Sequence, residues 1–157
     1  MIKLLKNAVL SGDTEIIKNY QGDINQWVDE NGDTALILAA HKCHADVVNA
    51  IIEAGANVNM VNKNGSTALM FAAGYERVTI VSILIKAKSN VNTCDRDGIT
   101  ALMLATNYGY VDIVSTLIEA GADVNAVDKN GSTVLMYVNP KGHAENIINL
   151  LKNAGAK

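Results

Sequence analysis

The stretch Asn64-Gly65-Ser66-Thr67-Ala68-Leu69-Met70-Phe71-Ala72-Ala73 decides the fold, because related versions of it recur along the chain. Repetition with a period of about 20–50 residues is typical of solenoids, in which each unit packs on its neighbours. The sequence therefore predicts a stack of similar units. The glycine of the motif recurs every 33 residues, at Gly32, Gly65, Gly98 and Gly131.

The composition restricts the class of protein. Of 157 residues, 49% are hydrophobic but only 4% are aromatic, which predicts one domain with an aliphatic core. A net charge of −3 gives no electrostatic basis for binding nucleic acid or an anionic membrane. No apolar run approaches the ~20 residues of a membrane span, and no secretory signal is recognised. The two cysteines lie in different units, so a reduced, cytoplasmic protein is expected.

Each full unit is predicted to consist of two short helices and a turn. In the unit 62–94, Thr67 is suited to accept a backbone N–H at the start of the first helix. The second helix carries an apolar stripe that includes Ile80, Val81 and Leu84, and such a stripe buries one helical face. The unit therefore presents apolar surface to its neighbours in the stack.

The two ends of the chain are interpreted as caps. The first segment lacks the glycine–threonine motif and is rich in polar residues, and Lys152 replaces an apolar stripe residue in the last segment. An outer face without a neighbour needs such polar substitutions. The predicted division is an N-terminal cap over 1–28, full units over 29–61, 62–94 and 95–127, and a C-terminal capping unit over 128–157.

These units resemble ankyrin repeats. The resemblance implies an all-α solenoid of helix–turn–helix units joined by hairpin-like turns. It also implies a monomer that binds a partner protein, without catalysis or a cofactor, through a concave groove of turn tips and first helices. An inhibitor or scaffold subunit that occludes an enzyme is an alternative form of this function. The unit 95–127 matches the family pattern at Asp95, Gly98, Thr100, Leu102, Ala105, Gly109, Ile113, Val114, Leu117, Gly121, Ala122, Asp123, Val124, Asn125 and Ala126.

The chain departs from the family pattern at three glycines that end helices. Cys43, Glu76 and Lys88 stand in their place. A left-handed backbone at a residue other than glycine costs about 1 kcal/mol. We therefore expect strain at these three helix ends.

Two columns of repeated residues are predicted to be structural. Asparagines at one position are expected to hold the turns between units through side-chain hydrogen bonds. Methionines at another are expected to pack in the core or between units, and a soft binding surface is the alternative. The asparagines are Asn59, Asn92 and Asn125. The methionines are Met70, Met103 and Met136.

The sequence offers little for metal binding or catalysis. His41, Cys43 and His44 are the only metal-like group, and no second group supplies the remainder of the four ligands that zinc requires. No nucleophile motif, phosphate-binding loop or paired-carboxylate motif is recognised. Neither a metal nor a catalytic site is expected. A minor metal- or thiol-dependent role around Cys43 is the least favoured alternative.

The resemblance also implies which residues meet the partner. Variable positions of ankyrin repeats line the groove, and here Tyr75, Ile99 and Tyr108 are expected to expose apolar surface on it. Tyr75 and Tyr108 share one position in consecutive units and are predicted to form the centre of the interface. The predicted partner-binding residues are Asp33, Lys42, Lys63, Ser66, Tyr75, Arg96, Ile99, Asn107, Tyr108 and Lys129.

Overall fold

Short helices follow one another along the chain in pairs. The computed structural model describes residues 2–141 and 143–157, and within them neighbouring helices of a pair pack together. The pairs are α1 (Ile2–Ser11) with α2 (Thr14–Lys18), α3 (Ala35–Lys42) with α4 (Ala45–Glu53), α5 (Ala68–Gly74) with α6 (Val78–Lys86), and α7 (Ala101–Tyr108) with α8 (Val111–Glu119). The last α-helix is α9 (Ala144–Asn153), and 3-10 helices lie at Ile24–Gln26 and Val134–Tyr137.

The helices form two layers. In the first layer, α1, α3, α5, α7 and the Val134–Tyr137 helix contact one another in order, and in the second layer α2, α4, α6, α8 and α9 do the same. Hairpin-like turns connect consecutive pairs, and each contains an isolated antiparallel bridge, as between Val61 and Thr67. The predicted all-α solenoid is confirmed.

The repeated threonines begin the first-layer helices, as predicted. The hydroxyl oxygen of Thr67 accepts the N–H of Met70 at 3.2 Å, and that of Thr100 accepts the N–H of Met103 at 3.3 Å. Thr133 makes no such capping hydrogen bond, and only a short 3-10 helix follows it. The last unit therefore has a weaker first element than the units before it.

The non-glycine helix ends adopt the predicted left-handed backbone. The φ angles are 68° at Cys43, 59° at Glu76 and 68° at Lys88. Gly55 and Gly121 occupy the position of Lys88 in their own units and have φ angles of 88° and 89°. Lys88 thus adopts a left-handed backbone conformation, and the equivalent position in the units on either side is occupied by glycine.

The asparagine column joins each turn to the next, as predicted. The side-chain oxygen of Asn59 accepts the N–H of Asn90 at 2.7 Å, and that of Asn92 accepts the N–H of Asp123 at 2.7 Å. Asn125 makes the same bond to the N–H of Lys157 at 2.9 Å. These bonds fix the spacing of the turns between units.

The methionine column is only partly buried. Met70 and Met103 are 2% and 0% exposed, but Met136 is 71% exposed, so its prediction as a core residue is wrong. The helices of Met70 and Met103 each lie between two first-layer neighbours. Met136 belongs to the last described element of that layer, Val134–Tyr137, which has a first-layer neighbour on one side only.

Candidate protein-binding surface

The tips of the turns are linked by backbone hydrogen bonds from unit to unit. The N–H of Lys63 donates to the carbonyl of Asn31 at 3.1 Å, and the N–H of Arg96 donates to that of Asn64 at 2.9 Å. In the same way, the N–H of Lys129 donates to the carbonyl of Asp97 at 2.9 Å. Three of the four predicted basic residues, Lys63, Arg96 and Lys129, therefore lie in one column with a fixed register.

A side-chain oxygen inside each tip fixes its shape. Oδ1 of Asp95 accepts the N–H groups of Asp97 and Ile99, both at 2.9 Å. Asn62 does the same in the preceding tip, where its Oδ1 accepts the N–H groups of Asn64 and Ser66. An aspartate and an asparagine therefore serve this purpose equally.

A cleft of about 210 Å³ opens between α5 and α7 on the first-layer side. It brings together three of the predicted residues, Ser66, Tyr75 and Tyr108. Tyr75 is 49% exposed and Tyr108 is 55% exposed, as a contact role would require. The full lining consists of Ser66, Met70, Phe71, Gly74, Tyr75, Asp95, Leu104 and Tyr108. We call this feature the tyrosine cleft.

Aromatic rings extend the tyrosine cleft toward the preceding unit. The ring centroid of His41 lies 4.5 Å from that of Tyr75 and 5.7 Å from that of Phe71. The rings of Phe71 and Tyr75 are nearly parallel, with centroids 6.4 Å apart. Burial, followed by the charge of Lys42, lowers the pKa of His41, so its ring is neutral near pH 7. The surface is therefore more aromatic than the two tyrosines alone indicate.

The sequence prediction missed the contributions of Phe71 and Asp95 to this surface. Phe71 lies in α5, four residues before the C-cap residue Tyr75. This spacing places side chains on the same helical face, so the signal was present in the sequence. The sequence identifies Asp95 only as a match to the family pattern. Its position in the cleft depends on how consecutive units stack, and a single unit does not reveal that.

Three of the predicted charged residues already contact neighbouring tips. A carboxylate oxygen of Asp33 accepts the side-chain N–H of Asn62 at 2.7 Å. Lys63 donates through Nζ to a backbone carbonyl of the preceding tip, and Lys129 lies 3.4 Å from a carboxylate oxygen of Asp97. These side chains help to hold the tips together as well as lining the surface.

The remaining predicted residues are separate from the cleft lining. Lys42, Arg96 and Asn107 are exposed, as predicted. Ile99 is half-buried and packs against the core, so the expectation that it exposes free apolar surface is wrong. Its backbone N–H donates to Oδ1 of Asp95, and its side chain packs against the core.

The largely apolar cavity at the N-terminal end was not anticipated. It has a volume of about 350 Å³, and its lining includes Leu4, Leu5, Ile16 and Tyr20. Leu4 is 55% exposed, so the outer face of the first segment is less polar than its interpretation as a cap implied.

Among residues 2–141 and 143–157, no group of three or more histidine, cysteine, aspartate or glutamate side chains could hold a metal ion. Cys43 is exposed, and a ring nitrogen of His44 lies 3.3 Å from the carbonyl oxygen of Leu10. None of the described helices is both long and apolar enough to cross a membrane.

Comparison with known proteins agrees with this architecture. A family model described as "Ankyrin repeats (3 copies)" matches residues 5–95 and 80–157. A search of curated proteins finds no match to the chain. Ankyrin repeats are generally protein–protein interaction modules and are typically non-catalytic. Since the matched ranges cover most of the sequence, the chain belongs to the ankyrin repeat family.

Proposed function

We propose that the protein is a non-catalytic module that binds a partner protein through the groove formed by its turn tips and first-layer helices. The tyrosine cleft carries this proposal. Tyr75 and Tyr108 are about half exposed, although each has a large apolar ring that gains free energy when a partner covers it. Tyrosine is enriched at interface hot spots because it offers a large contact area with little rotamer entropy to lose.

The rigidity of the surface also favours binding. Backbone hydrogen bonds from Lys63, Arg96 and Lys129 to the preceding tips fix the positions of the tips in the unbound protein. A surface that is already ordered loses less conformational entropy when it binds. The groove therefore needs little rearrangement to become an interface.

We expect charged residues to form the rim of the interface around the two tyrosines. Lys42 and Arg96 are exposed, and Lys63, Lys129 and Asp33 lie at the tips. Charges at the rim of an interface influence the association rate and the choice of partner more than the affinity. We assign these residues, with Asn107 beside the cleft and Ser66 in its lining, to orienting the partner.

The proposal includes the organisation of the chain. A cap over 1–28, full repeats over 29–61, 62–94 and 95–127, and a capping repeat over 128–157 would act together as one monomeric domain. Cys43 and Cys94 are both exposed free thiols, which supports a reducing, cytoplasmic setting.

Alanine variants of the two tyrosines test the proposal. Partners are captured from native lysate by crosslinking and identified, and their affinity is then measured for the parent protein, Tyr75→Ala and Tyr108→Ala. We expect each variant to keep its helical circular dichroism and to lose about 2 kcal/mol or more of binding free energy, which is about 30-fold in affinity.

Matched controls lie on the second-layer helices. Asn49 in α4 and Glu119 in α8 are exposed, so alanine at either position should leave both folding and binding unchanged. If the second-layer variants weaken binding and the tyrosine variants do not, the partner uses the other side of the solenoid and the proposal is wrong.

A further inference from the structure

We infer that the tyrosine cleft receives one cationic side chain of the partner, preferably arginine, with Asp95 as its counter-charge. The inference rests on the proposed function and specifies the chemistry that the cleft recognises. It is drawn from the size of the cleft, its walls and the hydrogen bonding of its carboxylate.

The size of the cleft suits a side chain better than a free small molecule. Its volume is about 210 Å³. Sites for drug-sized ligands usually have volumes of about 300–1,000 Å³. A single side chain anchored by the rest of a bound protein therefore fits the cleft better than an independent ligand does.

The walls of the cleft suit a cation with an apolar stem. Phe71, Tyr75 and Tyr108 supply aromatic rings, and Met70 and Leu104 supply aliphatic surface. A guanidinium group stacks on aromatic faces, and the attraction grows when water is excluded. The methylene stem of the same side chain can pack against apolar walls.

The carboxylate of Asp95 supplies the matching charge. Its Oδ1 is occupied by two N–H groups of its own tip, whereas its Oδ2 receives no hydrogen bond from any described residue. At the equivalent position of the next tip, Oδ2 of Asp128 accepts the hydroxyl of Tyr137 at 2.7 Å. Asp95 is half-buried, and a sheltered charge is unfavourable unless it is paired. A partner cation would complete the pairing.

The nearby cations of the protein do not neutralise Asp95. Lys129 contacts the carboxylate of Asp97, and Lys63 donates to the carbonyl of Glu30. Arg96, the next residue in the chain, is exposed and makes no ion pair with any described residue. The negative charge in the cleft is therefore available to a partner.

A pair of blocked pentapeptides tests the inference directly on the parent protein. One carries arginine between glycines, and the other carries citrulline, which has nearly the same shape but no charge. Titrations at millimolar concentration are followed by the amide resonances of the ¹⁵N-labelled protein. We expect the arginine peptide to shift resonances around Ser66, Ile99 and Tyr108 and to bind about tenfold more tightly than the citrulline peptide. No binding at this site, or equal binding of the two peptides, would overturn the inference.

Asp95→Asn removes the charge while preserving the tip. Asn62 shows that an asparagine at this position accepts the same two turn N–H groups, at 2.9 and 3.0 Å. We expect the variant to fold as the parent does and to lose the preference for arginine over citrulline. The control is Asp97→Asn, because Asp97 is an exposed carboxylate that is not part of the cleft lining. Equal preference for arginine in Asp95→Asn and in the parent would show that another group supplies the charge.

The same variants separate this inference from the proposed function. If partner binding falls in Tyr108→Ala but is unchanged in Asp95→Asn, the groove binds its partner through a neutral anchor and only the inference is wrong. If partner binding is insensitive to Tyr75→Ala, Tyr108→Ala and Asp95→Asn alike, both the inference and the proposed function are wrong.

Discussion

The hydroxyl of Tyr137 donates a 2.7 Å hydrogen bond to Oδ2 of Asp128, and this bond joins the last first-layer element to the tip that precedes it. The bond is the main reason that the pKa of the Asp128 carboxyl is lowered, and N–H groups of the turn lower it further. Burial and the same bond raise the pKa of Tyr137 to about 12. Since Thr133 provides no helix cap, we expect this pair to hold the Val134–Tyr137 helix in place.

Tyr137→Phe should destabilise the protein relative to the parent, and this loss of stability should be larger at neutral pH than at acidic pH. Because the folded-state pKa of Asp128 is below its ordinary value of 3.8, its contribution is present above that value and is lost as the pH falls through the folded pKa. We therefore expect the midpoint of thermal unfolding to fall by a few degrees at pH 7, with the difference from the parent shrinking below about pH 4.

Tyr108→Phe is the control for this measurement, because the Tyr108 hydroxyl makes no hydrogen bond with the described residues. Its midpoint should match that of the parent at both pH values. A constant difference between Tyr137→Phe and the parent across this range would mean that the ionised Asp128 is not the group that benefits from the bond.

Gly98→Ala should destabilise the protein more than Gly131→Ala does. Both glycines have positive φ angles, 81° and 79°, so each substitution costs about 1–2 kcal/mol in backbone strain. A Cβ atom at Gly98 would also lie 2.9 Å from Cα of Asp128, whereas one at Gly131 meets no atom of the described residues within 4 Å. Crowding of the next tip should add about 1 kcal/mol or more at Gly98.

Denaturant unfolding of the two glycine variants gives the comparison. Equal losses of unfolding free energy would show that the tips separate easily, contrary to the close contact described above.

Lys88→Gly should stabilise the protein. The φ angle of 68° is strained for lysine, and glycine relieves about 1 kcal/mol of that strain, partly offset by its greater freedom in the unfolded chain. A gain of this size corresponds to a rise of roughly 2–3 °C in the thermal midpoint.

Lys88→Ala is the matched control, because it removes the long side chain but keeps the Cβ atom. It should not raise the midpoint. If alanine stabilises the protein as much as glycine does, the lysine side chain rather than the backbone strain is the source of the penalty.

Removing metal ions should not alter the structure. His41 lies against Tyr75, and His44 lies near the carbonyl of Leu10, so these rings have neighbours other than a metal. Treatment with a chelator should leave both the helical circular dichroism and the unfolding midpoint unchanged. A clear loss of helix would reveal a structural metal, because binding of such a metal contributes directly to folding.

Features that depend on one unit could be predicted from the sequence. The capping hydrogen bond of Thr67 is made within its own helix, and the positive φ angle of Lys88 was expected because the family pattern has a helix-ending glycine at this position. The bond from Asn92 to the next turn was also predictable, because neighbouring units repeat the same geometry. Local chemistry and a constant period were sufficient for these features.

Features that depend on the neighbours of a unit were predicted less well. Met136 occupies the same position as Met103, but only Met103 is enclosed by first-layer elements on both sides. Asp95 lies in the turn of one unit, yet it lines a cleft whose other walls come largely from the unit before it. In both cases the surroundings of the side chain depend on how the units stack. The fact that two residues share a position in the repeat does not show which elements enclose each of them.

Backbone hydrogen bonds between the turn tips hold the scaffold in register independently of the side chains that the tips present. The bonds from Lys63 to Asn31, from Arg96 to Asn64 and onward along the column use only backbone atoms, so they do not depend on which side chains the tips carry. Under the proposed function, substitutions at these positions would change the preferred partner while the backbone bonds between the tips stay in place. Because effects at well-separated sites usually add, a new specificity can be assembled one repeat at a time, whether by natural selection or by design.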